Sequence, residues 1–362
     1  MWSRREFLIA GGAATSIAAL SGCGGSSMNS YERAASAIRA PLPSEPGLLD
    51  FVRFATLAPN SHNTQPWKFR LGADAIDILP DFSRRTPAVD PDDHHIFVTL
   101  GCAAENLLIA ANASGRPADI RVETEETETR IQVSLGHAPA RDQELCNAIP
   151  ARQSTRSDYD GEDVGAEDLT QLRRAASMPG VQAIFLTERP KLEAVLEFIV
   201  QGNSAQMDDP AFVRELKSWI RFNAGSAIET GDGLFAKCSG NPALPTWAGR
   251  FLFDRVFTKE AENKKYTRQM RSSAGVVVFA AETDGPEGWI QVGRSFERFA
   301  LQATVLGIRH AHMNMPIEVA ELRPAFADWL GMPGRRPNLV IRFGRTAPMP
   351  MSMRRPVDDV IV

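Results

Sequence analysis

The sequence predicts an α+β chain made of two tandem, related units with an irregular insertion in the second. Three observations carry that expectation. Segments of helical and strand periodicity alternate along most of the chain. A stretch around the first long helix recurs without gaps 192 residues later. Residues 225–250, rich in Gly, Pro and Asn, break the pattern of the second half.

The elements follow in order. Apolar spacing predicts a helix over 47–58 and strands over 67–71 and 75–79. A long helix is expected at 92–114, with Asp92 and Asp93 in its first turn and Gly115 past its end. Strands at 118–123 and 129–135 and a helix at 141–148 close a first unit, residues 48–150. The second unit, 151–362, reads as helix 166–177, strand 181–186 and helices 189–208 and 209–224. After the insertion come helix 260–272, strand 274–281, helix 288–306, strand 308–313, helix 318–329, strand 338–343 and an extended tail.

The repeat is specific to particular positions. Gly101 falls on Gly293, Glu105 on Glu297, Ala111 on Ala303 and Gly115 on Gly307. Val98, Leu100, Leu107 and Ile109 meet Ile290, Val292, Phe299 and Leu301. Two amphipathic helices share apolar spacing by chance, but the shared Gly and Glu positions favour a duplicated unit.

Composition narrows the function classes. With 43% hydrophobic and 23% charged residues the chain is neither disordered nor fibrous. Lys and Arg number 40 against 44 Asp and Glu, so there is no basic field for nucleic acid. Four cysteines are too few for a disulfide framework. Cys102 reads as a buried apolar residue, and Cys146 and Cys238 are left open as a pair. His94-His95 and His310-x-His312 lack a carboxylate string of zinc-site spacing, so no metal is expected. There is no GxGxxG after a strand and no G-x-S-x-G elbow.

The N-terminus reads as an address. Arg4 and Arg5, followed by Phe-Leu and a short Gly/Ala-rich apolar run to Leu20, have the pattern of a twin-arginine export signal over 1–22. The run is too short to span a ~30 Å hydrocarbon core as a helix. Leu20-Ser21-Gly22-Cys23 resembles a lipobox, with Cys23 as the lipidation site, although a plain small-residue cleavage site has the same composition. Residues 23–47 then read as a tether. The expectation is an exported, periplasmic or cell-envelope protein anchored by lipid, delivered by the twin-arginine machinery. Because that machinery carries folded proteins, it raises the expectation of a preloaded cofactor.

One loop stands out for chemistry. Residues 58–69, Ala-Pro-Asn-Ser-His-Asn-Thr-Gln-Pro-Trp-Lys-Phe, join a helix to a strand. Asn60, Ser61, Asn63 and Gln65 offer uncharged donors and acceptors at short intervals. Such groups suit the polar edge of a flavin ring, and a polar turn has the same composition. Arg152, Ser154 and Arg156 put two guanidinium groups and a hydroxyl together, which suits a dianion or a solvated basic turn.

These strings resemble the flavin-dependent nitroreductase family, whose hallmark is Ala-Pro-Ser-x-x-Asn-x-Gln-Pro-Trp-x-Phe; here Asn60 replaces the usual Ser. Arg152-Gln-Ser154-Thr-Arg156 is similar to the family's Arg-Arg-Ser-x-Arg string, which holds the FMN phosphate. Arg354-Arg355-Pro is similar to the basic C-terminus that reaches the same phosphate. The family's subunits pair to build two FMN sites, and here the two halves of one chain divide the motifs of a single site. That arrangement resembles the Acg-like branch, a fused pseudo-dimer with a lid, here residues 219–249. The resemblance implies a nitroreductase-like fold and bound FMN. It places Asn60, Ser61, Asn63 and Gln65 on the ring and ribityl chain, Arg152, Ser154, Arg156, Arg354 and Arg355 on the phosphate, and Met313 and Asn314 along the site. It assigns no catalytic side chain. It also implies reduction of a small acceptor, nitroaromatic or quinone-like, through flavin N5. Export removes the chain from NAD(P)H, so the electron donor is open. A non-catalytic flavin-binding or storage protein is the alternative.

Overall fold

The computed structural model of the chain describes residues 27–125 and 128–362. Arg4, Arg5 and Cys23 lie outside the described residues. The stretch expected to be a tether contains a helix, α1, over 27–38. Met28, Tyr31, Ala35 and Ile38 recur at helical spacing and pack with Ala224, Ala227, Phe235, Cys238 and Met353. The tether reading is corrected because the Gly, Ser and Pro residues cluster on either side of this amphipathic run.

The first unit runs α2 (Leu48–Ala55), β1 (Trp67–Leu71), β2 (Ala75–Pro80), α3 (His94–Ala113), β3 (Ala118–Glu125), β4 (Glu128–Leu135) and α4 (Gln143–Ala148). The second opens with α5 (Ala166–Ala176) and β5 (Val181–Leu186). A large insertion follows: α6 (Arg189–Asp208), α7 (Pro210–Trp219), β6 (Ile220–Arg221), α8 (Ala224–Thr230), β7 (Leu234–Phe235), α9 (Thr246–Val256) and α10 (Lys259–Arg271). The unit closes with β8 (Gly275–Ala281), α11 (Pro286–Val305), β9 (Arg309–His312), α12 (Met315–Glu318), α13 (Arg323–Trp329) and β10 (Pro337–Gly344).

The segment 225–250, expected to be irregular, carries most of α8 and the start of α9, and two further details differ from expectation for local reasons. The helix expected at 209–224 stops at Trp219, because Ile220 and Arg221 pair with β7 and Asn223 starts a new helix by accepting from Ser226 N at 2.9 Å. The helix expected at 318–329 is two short ones, with a proline in the first turn of each.

The duplication is visible in the strand order. The first sheet is β1-β2-β4-β3 and the second is β5-β8-β10-β9, both antiparallel throughout. In each, one long helix, α3 or α11, joins the second strand to the third. The fold is therefore α+β with two tandem units of one topology.

The long helices dock against each other at the repeated glycines. A Cβ on Gly101 would collide with the carbonyl oxygen of Ile290, and one on Gly293 with that of Val98. The offset that relates the glycines also relates Val98 to Ile290, so the contact is reciprocal, as across the two-fold axis of a homodimer. Only a residue without a side chain allows this approach, and α3 is buried on nearly every face.

The reciprocity breaks at the charges. Buried Glu105 receives Arg294 Nε at 2.8 Å and Arg298 Nη1 at 2.6 Å. Its counterpart Glu297 faces Cys102 and Asn106 where those arginines would be, and lies 3.2 Å from Arg152 Nε. Backbone from distant segments covers one edge of each sheet: Ile361 bridges Phe69 on β1, and Ser154 bridges His310 on β9. Cys146 sits in the central core and Cys238 beside α1, both free, so the pair left open by the sequence does not form.

Gly101→Ala and Gly293→Ala are each expected to destabilise the chain by about 1–3 kcal/mol or more, since backbone must move to admit a methyl group. Urea denaturation reads this as a lower midpoint. A midpoint equal to that of the wild type would refute the close helix contact.

Candidate functional site

The loop after α2 adopts a backbone that its side chains hold in place. His62, Asn63 and Gln65 have φ of 47°, 55° and 56°, in the left-handed region that non-glycine residues avoid. Asn60 Oδ1 accepts from Gln65 N at 2.8 Å. Asn63 Nδ2 donates to Gly233 O and Met353 O, and its Oδ1 accepts from Arg354 Nη1. Gln65 Nε2 donates to Gly231 O at 2.8 Å, and its Oε1 accepts from Arg355 N at 2.9 Å. Asn63 and Gln65 thus clamp the loop between the insertion and the C-terminal tail.

This turn presents Asn60, Ser61 and His62 to a cavity of about 130 Å³. His95, Thr99 and Cys102 of α3 form one wall, and Arg156, Phe296, His312, Asn314 and Leu339 of the second unit form the other. A smaller cavity of about 50 Å³ adjoins it, with Pro59, Asn60 and Arg156 shared between them. Arg39, Asn63, Arg152, Ser154, Leu234 and Arg354 line the smaller one. Both halves of the chain contribute to each cavity.

Charge separates the two spaces. Four guanidinium groups, of Arg39, Arg152, Arg156 and Arg354, surround the smaller cavity. Arg354 donates to Thr56, Leu57, Ala58 and Met353 carbonyls and to Asn63 Oδ1, which ties down the end of α2. Arg152 Nη2 donates to Leu57 O at 2.7 Å, while its Nη1 is buried without a partner. Among the described residues the Arg156 guanidinium has no carboxylate partner. Burial first, and then Arg152, pull the Arg39 guanidinium down to about 10; burial lowers Arg156 and Arg354 as well. Glu297 supplies counter-charge, yet burial raises its carboxyl to about 7 against the pull of Arg152. Such a cluster is costly unless an anion joins it.

Apart from Arg156, which it shares with the smaller space, the larger cavity is lined by uncharged groups. Burial, with Arg156 behind it, lowers His62 to about 4 and His312 to about 3, and burial also lowers His95. The rings face the space as uncharged donors and acceptors. Asp90 lies beside His94 and His95, with ligating atoms within 4.8 Å of one another. Asp90 Oδ2 accepts from His95 N at 2.9 Å and so holds the start of α3, and His94 Nε2 bonds Asn338 Nδ2 at 3.0 Å.

Eight of the eleven residues expected in the site line these cavities: Asn60, Ser61, Asn63, Arg152, Ser154, Arg156, Asn314 and Arg354. Gln65, Met313 and Arg355 do not. Gln65 is the clamp described above, and Met313 packs with Val276, Val278 and Val340 in a second core. Arg355 donates through Nη2 to Asp359 O at 2.7 Å, away from the cavity. The sequence reading missed Arg39, His62, His95 and His312. The helical spacing around Tyr31 was a signal for Arg39; only the tertiary fold brings the three histidines together.

No protein-family profile matches the chain. A Mycobacterium tuberculosis protein named as an NAD(P)H nitroreductase is 23% identical over 355 residues, covering 95% of this chain and 96% of that protein. A second from the same organism, named as the NAD(P)H nitroreductase acg, is 22% identical over 320 residues, with 85% and 93% covered. Among solved structures, an FMN-bound nitroreductase of Bacteroides fragilis is 20% identical, covers 56% of this chain and 89% of its own, and has a TM-score of 0.35.

The neutral histidines set a pH response. Well above pH 6.5 both rings are uncharged in the folded and unfolded chain alike. Below it the unfolded chain takes up protons that the folded chain refuses down to about 4 at His62 and about 3 at His312, so stability falls with pH through that window. Asp90 and Glu297, both raised to about 7, act in the opposite sense. The difference between variant and wild type isolates the rings: His62→Gln and His312→Gln should each recover ~1–2 kcal/mol at pH 4.5 relative to pH 7. Parallel urea curves at the two pH values for wild type and variants would contradict this.

Proposed function

We propose that this chain is an FMN-dependent oxidoreductase of nitroreductase type, a fused pseudo-dimer with one cofactor site. The observation that carries this reading is the paired cavity: a small, cation-rich space adjoining a larger one lined mostly by uncharged groups, both built from the two halves of the chain. The full-length similarity to the M. tuberculosis relatives supports it.

The residues fit the cofactor on three counts. The buried, unpartnered Nη1 of Arg152 and the free guanidinium of Arg156 call for a multivalent anion such as a phosphate monoester. Asn60, Ser61, Asn314 and the neutral histidines supply hydrogen-bonding groups, and Phe296 and Leu339 supply apolar surface. The spaces are smaller than the ~300 Å³ at the lower end of ligand pockets, so entry requires the lid around Leu234 to shift.

In this reading Arg152, Ser154 and Arg156 hold the phosphate, and Asn60, Ser61 and Asn314 meet the ring. Bound FMN supplies hydride and electron transfer at its N5 position. The chain positions the cofactor, neutralises its phosphate and keeps water from it; none of its side chains is assigned as an acid or base. The acceptor is a small nitroaromatic or quinone-like molecule. We further propose that residues 1–22 direct export through the twin-arginine machinery and that Cys23 carries a lipid anchor at the cell envelope.

One observation favours a second reading, a flavin-holding protein without routine turnover. The lid is pinned shut by buried bonds from Asn63 to Gly233 and Gln65 to Gly231, and Asp232 pairs with Arg84 and Arg221. A closed lid excludes a large nicotinamide donor.

The purified chain should be yellow, with about one FMN per chain by the pseudo-dimer argument. Arg152→Ala with Arg156→Ala should weaken FMN retention at least 10-fold, from charge-assisted bonds worth ~1.5–3 kcal/mol each. A colourless chain that ignores added FMN would defeat the site assignment. Steady-state nitroaromatic reduction with NADPH separates the readings: FMN bound tightly with no turnover by any donor leaves only the holding role.

A further inference from the structure

We infer that α1 belongs to the anion site: Arg39, one residue past the helix, is a ligand-binding cation, and docking of α1 is coupled to occupancy of the cavity. This rests on the proposed FMN reading and adds to it a residue and an element from outside either repeated unit.

The geometry points there from several sides. Arg39 lines the small cavity beside Arg152, Arg156 and Arg354. Its Nη1 donates to Ala35 O at 3.1 Å and its Nη2 to Ser352 O at 2.8 Å, so two of the five guanidinium N–H groups are committed. Among the described residues Arg39 forms no ion pair. The cavity therefore gathers four cations against Glu297, and the last of them comes from a helix outside either repeated unit.

Helix α1 is held by elements that themselves line or cover the site. Tyr31 Oη donates to Met351 O at 2.7 Å, and the Tyr31 ring lies 4.5 Å from that of Phe235 in β7. Met351, Ser352 and Leu234 all line the small cavity. Arg53 fastens the exit of the helix through Ala40 O at 2.6 Å and Pro41 O at 3.2 Å. With the cavity empty of anion, docking α1 brings a fourth positive group against three others. With a phosphate present the same approach is attractive. Ligand binding and helix docking then favour each other by the same factor.

The alternative is that Arg39 only caps the end of α1 through Ala35 O. Riboflavin, which lacks the phosphate, separates the two. In the full chain, Arg39→Gln should weaken FMN binding roughly 10- to 100-fold, the worth of a charge-assisted phosphate contact. It should leave riboflavin binding within about 2-fold, read by flavin fluorescence quenching. A capping role would lower both affinities together. The coupling has its own readout. FMN should slow tryptic cleavage at exposed Arg33 in the wild type, and much less in Arg39→Gln. Equal FMN affinity in variant and wild type, or cleavage at Arg33 indifferent to FMN in the wild type, overturns the inference. If Arg39→Gln does not fold, Arg39→Lys takes its place, with an intermediate loss for FMN alone expected. If the wild type binds neither flavin, the FMN reading fails, and inorganic phosphate decides Arg39: protection of Arg33 in the wild type that is lost in the variant sustains the anion site, and no protection ends it.

Discussion

The approach of α3 to α11 through Gly101 and Gly293 sets where the rest of the molecule lies. It brings two copies of one α+β unit together face to face, with backbone touching backbone. Each unit alone would expose the apolar side of its long helix. Docked, the pair forms the central core, and the cleft beside it takes one wall from each unit. His95, Thr99 and Cys102 reach that cleft because α3 carries them there; Phe296 arrives on α11.

A duplicated chain has a freedom that a homodimer lacks: its halves diverge. Glu105 and Glu297 occupy equivalent positions, yet among the described residues Glu105 pairs with two arginines across the interface and Glu297 with Arg152. The asymmetry leaves positive charge beside Glu297, where the small cavity lies. A symmetric assembly would repeat the site; here the second unit instead contributes the insertion, and the C-terminal tail returns to clamp the first unit's loop through Arg354 and Arg355.

Two of the strongest expectations, Asn63 and Gln65, met the same fate for one physical reason. Asn63 and Gln65 have the residue types that a flavin edge uses, and the chain employs them on its own backbone. An amide side chain bonds a carbonyl of the insertion as readily as a ligand. The left-handed turn at His62 and Asn63 needs that bracing, which Asn60 shares through Gln65 N and Ala58 O, while Asn60, Ser61 and Asn63 still line the cavities.

Strand positions, the two long helices and the duplication were legible along the chain, because periodicity and the Gly and Glu matches at one offset are local properties of sequence. The cation cluster was legible in part: Arg152, Arg156 and Arg354 stand in recognisable strings, whereas Arg39 hid in a segment set aside as a tether. Its convergence on them is a matter of three-dimensional packing, since it comes from far outside the linear neighbourhood of the others. The histidines of the larger cavity show the same limit. His62, His95 and His312 sit on separate elements, and burial makes them neutral. By itself the sequence determined the units, their relation and the chemical types of the site. Which side chains face the cavity and which brace it was decided only by the tertiary structure, because hydrogen-bond partners and desolvation exist only once distant segments have met.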